Sequence, residues 1–136
     1  MNGMEQLLKS QRWALDERRR QVADFETLIA KLNHDLVRID RMLANEIERA
    51  RQSPELQRAL PAYHRAVAER QSRLRVTISG LHLELESLRE KMTESFSEMK
   101  KTEQIINQRL ERQRRLEERR ESARLDAIQQ RRYAHR

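Results

Sequence analysis

Apolar side chains recur at every seventh position between residues 8 and 50. Reading in steps of seven gives Leu8, Leu15, Val22, Ile29, Leu36, Leu43 and Ala50. An α-helix turns once in 3.6 residues, so a strict seven-residue repeat forms a slowly drifting stripe that supercoils left-handedly against a partner helix. The chain is therefore predicted to form a coiled coil.

A second apolar pattern lies between residues 60 and 110. It has two rows: Leu60, Val67, Leu74, Leu81 and Leu88 form one, and Ile78, Leu85, Met92, Met99 and Ile106 form the other. Three residues after each position of the first pattern lies a second row, in which Phe25, Leu32 and Ile39 are apolar but Gln11, Arg18 and Glu46 are polar. In helix 2, Ser95 and Thr102 interrupt the row that begins at Leu60. The predicted seam is thus apolar in its middle and polar at its terminal end.

The segment between the two patterns carries the signals of a helix break. Ser53-Pro54-Glu55 supplies an N-cap hydroxyl, a proline suited to the first helical position and an acid near the positive end of a helix. Pro61 disfavours helical geometry at the residue before it. We expect helix 1 over residues 4–52, a bend with a short helix over 53–61, and helix 2 over 62–132.

Folding back at this bend brings Ala50 to Tyr63 and Leu8 to Ile106. The N-terminal end of helix 1 therefore lies beside the C-terminal end of the apolar seam of helix 2. The predicted fold class is all-α: a long antiparallel two-helix coiled-coil hairpin with an overhanging C-terminal helix, forming a single domain over residues 1–136. The predicted seam residues are Leu8, Leu15, Val22, Phe25, Ile29, Leu32, Leu36, Ile39, Leu43, Leu74, Ile78, Leu81, Leu85, Leu88, Met92, Met99 and Ile106.

The composition suits a long, thin core. The chain is 38% charged and only 4% aromatic, and it contains two Gly, whereas globular domains of this length carry more Gly and less charge. Residues 111–136 hold nine basic and five acidic side chains of a chain with net charge +7. Acids are interleaved throughout, so we interpret the charge mainly as solubilising and keep the basic overhang as a candidate binding feature.

The residues predict a protein that is not an enzyme. Without cysteine there are no disulfides or thiolate ligands, and the four His are not spaced as helical metal pairs. No glycine-rich phosphate loop occurs either. Taken together, these patterns predict no catalytic, cofactor-binding or metal-binding residues. No apolar run approaches the roughly 20 residues that span a bilayer, which favours a cytoplasmic protein without direct membrane insertion.

Some side chains are predicted to lie outside the seam. Trp13 lies on the outer face of helix 1, where it either covers neighbouring aliphatic stems or contacts a partner. Val76 and Leu83 are seven residues apart on helix 2 with Gly80 between them. A mid-helix Gly costs about 1 kcal/mol of helix stability relative to Ala. We therefore interpret Gly80 as a place where another chain approaches the helix closely. With Tyr63 these residues form a candidate docking strip.

The chain resembles the FliJ family, the stalk protein of the bacterial flagellar type III export apparatus, and most closely its alphaproteobacterial members. The matching segments are LKSQRWALDERR (8–19), VADFE (22–26), residues 63–74 and MKKTEQ (99–104). The length, the bend near residue 55 and the longer second helix agree as well. The ordered set covers nearly the whole chain.

This resemblance implies partners and contact residues. Family members form a stalk whose terminal end enters the pore of the hexameric export ATPase, while the early second helix contacts the membrane export gate; members also bind export chaperones. By position, ATPase-ring contacts are Arg12, Trp13, Arg19, Arg112, Arg115 and Arg119, and export-gate contacts are Tyr63, Val67, Val76 and Leu83. The resemblance further implies a location at the cytoplasmic face of the inner membrane, reached through these partners.

Three alternatives stay open at this point. The same stalk could serve a virulence type III secretion system. A basic coiled coil could instead bind nucleic acid through residues 111–136, or a helical partner. A plain dimerising coiled coil would place the seam between two chains and double the mass in solution.

Overall fold

The computed structural model describes residues 2–135, which form two helices and no strand. Helix α1 spans Gly3–Ala50 and helix α2 spans Pro54–Ala134. The predicted fold class, an all-α two-helix hairpin, is confirmed. α1 begins at a cap, because the side-chain Oδ1 of Asn2 accepts a hydrogen bond from the backbone N–H of Glu5 at 2.9 Å.

Contacts divide the chain into two compact units rather than the single predicted domain. The hairpin unit is Asp16–Thr93, and the terminal unit consists of Met1–Leu15 together with Glu94–Arg136. Each unit contains part of both helices. In a coiled coil, each side chain packs only against neighbouring layers of the seam, so no central core joins distant layers as it does in a globular domain.

The hairpin unit is held together by a mainly apolar seam. Val22 and Ile29 of α1 and Ile78 and Leu85 of α2 form its buried cluster. Half-buried side chains pack around that cluster: Phe25, Leu32, Leu36, Leu74, Leu81, Leu88 and Met92. Further along the same unit, Ile39, Ala50 and Val67 are also buried. These positions follow the seven-residue repeat, as burial of one helix face requires.

Polar contacts across the hairpin unit report its register. The guanidinium of Arg89 lies 3.0 Å from the Glu26 carboxylate, and the side-chain amide of Gln71 donates to Asp40 Oδ1. Both pairs lie within two residues of the register predicted from folding back at the bend. Gln71 is itself buried, so this hydrogen bond satisfies a polar group inside the seam.

The turn between the helices is shorter than predicted. It comprises residues 51–53, whose backbone N–H groups bond to the carbonyls three residues earlier, each at 3.3 Å. Ser53 caps α2 as expected, because its Oγ accepts from the N–H of Leu56 at 3.4 Å and its carbonyl from that of Gln57 at 3.1 Å. Pro54 takes the first helical position, and α2 starts eight residues earlier than the sequence predicted.

Pro61 lies inside α2, so the predicted bend over 53–61 is wrong. A proline at this point removes one hydrogen bond to the carbonyl of Gln57 and crowds that carbonyl. The ring of Pro61 is exposed, and on the solvent side of a helix water can hydrate the released carbonyl. Half-buried Leu60 and Tyr63 on the inner face hold the first turns of α2 against α1, which overrides the local preference.

The terminal unit has a thinner seam and an exposed extension. Its buried side chains are Leu15, Met99 and Thr102, joined by half-buried Met4, Leu8 and Ile106. Every described residue from Arg112 onward is exposed, although α2 stays helical to Ala134. We call residues 112–135 the tail. All seventeen predicted seam residues of the two units are buried or half-buried.

Candidate partner-binding surfaces

The predicted ATPase contact Arg12 is already engaged within the terminal unit. Its Nη2 lies 3.2 Å from Oε1 of Glu103, and Lys100 Nζ lies 3.1 Å from the second oxygen of the same carboxylate. The Lys100 ammonium also sits 5.6 Å from the centre of the Phe96 ring, within cation–π range. Arg12 therefore fastens α1 to α2 in addition to any contact with a partner.

The charge arrangement around Glu103 changes its acidity. Hydrogen bonds from Lys100 and then Arg12, reinforced by their positive charges, lower the pKa of the Glu103 carboxyl below its ordinary value. The opposing effect of desolvation is smaller. A carboxylate that accepts hydrogen bonds from two cations favours its charged form, so Glu103 holds both cations in place over the ordinary pH range.

Trp13 and Arg19 differ in what they offer to a partner. Trp13 is 66% exposed, so its ring does not lie against the seam and is open to contact. Arg19 belongs to the hairpin unit and pairs with Asp16 of its own helix at 3.5 Å. An exposed pair of this kind contributes little stability, and Arg19 can exchange Asp16 for another carboxylate at low cost.

The arginines of the tail fall into two groups. Arg115 lies 3.4 Å from Glu111 and Arg114 lies 2.9 Å from the same carboxylate. Arg112 and Arg119, by contrast, have no carboxylate partner among residues 2–135. Because they are seven residues apart, they share one face of the helix. That face presents two uncompensated positive charges to solvent.

The docking strip on α2 is exposed as predicted from its spacing. Val76 is 71% and Leu83 is 73% exposed. A Cβ added at Gly80 would meet no atom within 4 Å, so nothing within the described chain requires a glycine there. We call Val76, Gly80 and Leu83 the outer strip. Tyr63, predicted to share this strip, is instead half-buried on the inner face of α2.

Val67 is not available as an export-gate contact, and that prediction is wrong. Its side chain is only 9% exposed and lies in the seam of the hairpin unit. The seven-residue spacing from Leu60 to Leu74 places Val67 on the inner face of α2, whereas Val76 and Leu83 lie on the outer face. A partner on the outer strip therefore cannot touch Val67 without separating the helices.

Three polar contacts across the helices were not predicted from the sequence: Arg12–Glu103, Arg89–Glu26 and Gln71–Asp40. Glu103 is one of many carboxylates in the chain, and only the register of the terminal unit brings it to Arg12. Gln71 occupies a seam position between Val67 and Leu74, so its spacing signals burial, but its partner Asp40 emerges only from the register of the hairpin unit.

In the part of the chain that the structure describes, there is neither a cluster of metal ligands nor a membrane-spanning stretch. Within residues 2–135, no three His, Asp or Glu side chains come together as ligands for a metal ion. Over the same residues, neither helix contains an apolar stretch long enough to cross a bilayer. What the described surface offers is the exposed tail, the outer strip and Trp13.

Comparisons with protein-family models, with curated proteins and with solved structures found no match to this chain. The resemblance to the FliJ family, its partners and its contact residues therefore stays a prediction.

Proposed function

We propose that the protein is a non-enzymatic stalk and coupling protein of the bacterial flagellar type III export apparatus. In this role its terminal end inserts into the hexameric export ATPase, and α2 links the ATPase to the membrane export gate. These partners place it at the cytoplasmic face of the inner membrane. Export chaperones are a further class of partner.

The observation that carries the proposal is the tail. Residues 112–134 are helical and their side chains are all exposed, and a helix without tertiary packing is only marginally stable in water. A ring that surrounds the tail covers its whole circumference, whereas a partner on one side would cover a single stripe. The surrounding arrangement accounts best for a helix that buries none of its faces.

The charges of the tail indicate what the ring must supply. Arg112 and Arg119 lack carboxylate partners, whereas Arg114 has two. Arginine pairs with carboxylates in a two-pronged geometry that fixes orientation as well as adding attraction. We therefore expect acidic side chains of the ATPase pore at Arg112 and Arg119, with Arg115 exchanging Glu111 for a pore carboxylate.

The outer strip supports the second half of the proposal. Two large apolar side chains that are more than two-thirds exposed, separated by a glycine, allow another surface to approach the backbone of α2 closely. Such apolar anchors are typical of the centre of a protein interface. We assign this surface to the export gate. Tyr63 lies on the inner face of α2 and is not part of this surface.

The proposal is tested by capture of partners from the organism that makes the protein. The full chain, carrying an affinity tag on its N-terminus, is used as bait under gentle salt, and captured proteins are identified by mass spectrometry. We expect a hexameric export ATPase and an export-gate protein. Capture of the corresponding proteins of a virulence secretion system would support that variant instead. Recovery of nucleic acid alone would contradict the proposal.

A further inference from the structure

The seam of the terminal unit contains a buried polar atom without a partner. The side-chain oxygen of Gln11 is shielded from solvent and accepts no hydrogen bond from residues 2–135. A buried polar group that loses its hydrogen bond to water on folding costs roughly 1–3 kcal/mol. Closing the seam around Gln11 is therefore opposed by the desolvation of this oxygen.

Thr102, the buried polar residue of α2 in the same unit, does not compensate. It is 5% exposed, and its hydroxyl donates to the carbonyl of Glu98 in its own helix at 3.2 Å. The hydrogen bond therefore stays within α2 and adds nothing to the pairing of the helices. The hydrogen bond that does join the two helices of the terminal unit is the one that Arg12 donates to Glu103, and it is exposed to solvent.

Apolar burial in the terminal unit is also small. Its buried apolar side chains are Leu15 and Met99. The hairpin unit has a larger set, namely Val22, Ile29, Ile39, Ala50, Val67, Ile78 and Leu85. Since apolar burial is the main favourable term in folding, the hairpin unit has far more to lose on opening.

We propose that the terminal unit is a clasp that opens by itself: residues 3–12 of α1 separate reversibly from residues 99–111 of α2 while the hairpin unit stays closed. Local opening of this kind occurs where few apolar contacts hold an element. The buried oxygen of Gln11 sets the equilibrium toward opening. In the open clasp Leu8 of α1 and Ile106 of α2 lose their cover, while Leu15 stays packed in the seam.

Hydrogen exchange of the full chain at neutral pH, followed by mass spectrometry, tests the clasp. Residues 3–12 are the first turns of α1; once detached they have no tertiary packing and fray readily, so their amides report opening. We expect residues 4–12 to exchange at least tenfold faster than residues 25–39 of the same helix. Equal protection of the two segments would overturn the proposal.

A pair of matched variants separates the role of Gln11 from general seam stability. Gln11→Leu replaces the unpaired oxygen with an apolar group and should slow exchange of residues 4–12 about tenfold, as expected for removal of a buried unsatisfied group. Gln71→Leu removes a buried glutamine that is hydrogen-bonded in the hairpin unit and should slow exchange nowhere. Unchanged exchange in Gln11→Leu, or equal slowing in both variants, would overturn the proposal.

Discussion

At the scale of single residues, Glu103 shows how one carboxylate ties two helices. It accepts hydrogen bonds from Lys100 on its own helix and from Arg12 on α1, and both lower its pKa. The folded chain therefore releases this proton more readily than the unfolded chain. Stability that depends on Glu103 is present above the ordinary pKa of glutamate and is lost as the pH falls through the lowered value.

We predict that acid opens the terminal unit through Glu103. Hydrogen exchange of residues 4–12, corrected for the intrinsic pH dependence of exchange, should accelerate once the pH falls below the ordinary glutamate pKa. In Glu103→Gln the tie is weakened at all pH values, so this extra acceleration should disappear. Glu117→Gln, an exposed change in the tail, serves as the control and should keep the acceleration. The same profile in Glu103→Gln and in the unaltered protein would contradict the assignment.

At the scale of helices, α2 shows packing prevailing over a local signal. Pro61 predicts a break, yet the helix runs through it, because Leu60, Tyr63 and Val67 face α1 while the proline ring faces solvent. The energetic penalty of an interior proline remains, and the paired seam outweighs it. Pro54 illustrates the opposite case, since a proline at the first helical position lacks an N–H that the helix does not use.

We predict that Pro61→Ala stabilises the hairpin unit by about 1–3 kcal/mol. The substitution restores a backbone hydrogen bond and removes a steric contact, and it sacrifices no packing because the ring is exposed. Denaturant unfolding followed by circular dichroism measures the change. Pro54→Ala is the matched control and should leave stability nearly unchanged. Equal effects of the two substitutions would show that Pro61 is not strained.

The outer strip leads to a prediction on binding. Changing Val76 and Leu83 to Glu should abolish binding to the export gate and preserve helical content, because both side chains are exposed. Binding is measured with the purified cytoplasmic part of the gate protein.

The matched control for the outer strip changes Val37 and Met42, about half exposed on α1, to Glu. It adds the same charge to the hairpin unit and should leave gate binding intact. If both double variants bind the gate as the unaltered chain does, the outer strip is not the gate contact.

At the scale of the whole molecule, much of the fold could be predicted from the sequence, but fewer of the surface contacts could. The seam follows from periodicity, because burial of one face repeats with the helix turn. Helix continuity through Pro61 could not be predicted, since it depends on how strongly neighbouring layers pack. The tie between Arg12 and Glu103 could not be predicted either, because it requires the register of the two helices. Exposure of Val76 and Leu83 follows from their spacing, but the chemistry of their partner does not.

The central claim is that the tail enters an ATPase ring through Arg112 and Arg119. The most direct measurement is binding of the full chain to the purified hexameric export ATPase, together with stimulation of ATP hydrolysis, in two double charge reversals. Arg112→Glu with Arg119→Glu changes two arginines that have no carboxylate partner among residues 2–135. Arg114→Glu with Arg124→Glu makes the same change in net charge at arginines that pair within the tail, Arg114 with Glu118 and Arg124 with Glu121. Circular dichroism checks that both variants keep their helical content.

We predict that the first variant loses at least tenfold in affinity and most of its stimulation, while the second stays within about threefold of the unaltered chain; tenfold corresponds to about 1.4 kcal/mol. Binding by net charge alone, as for nucleic acid, would weaken both variants alike. Equal losses in the two variants, or full stimulation by the first, would contradict the account.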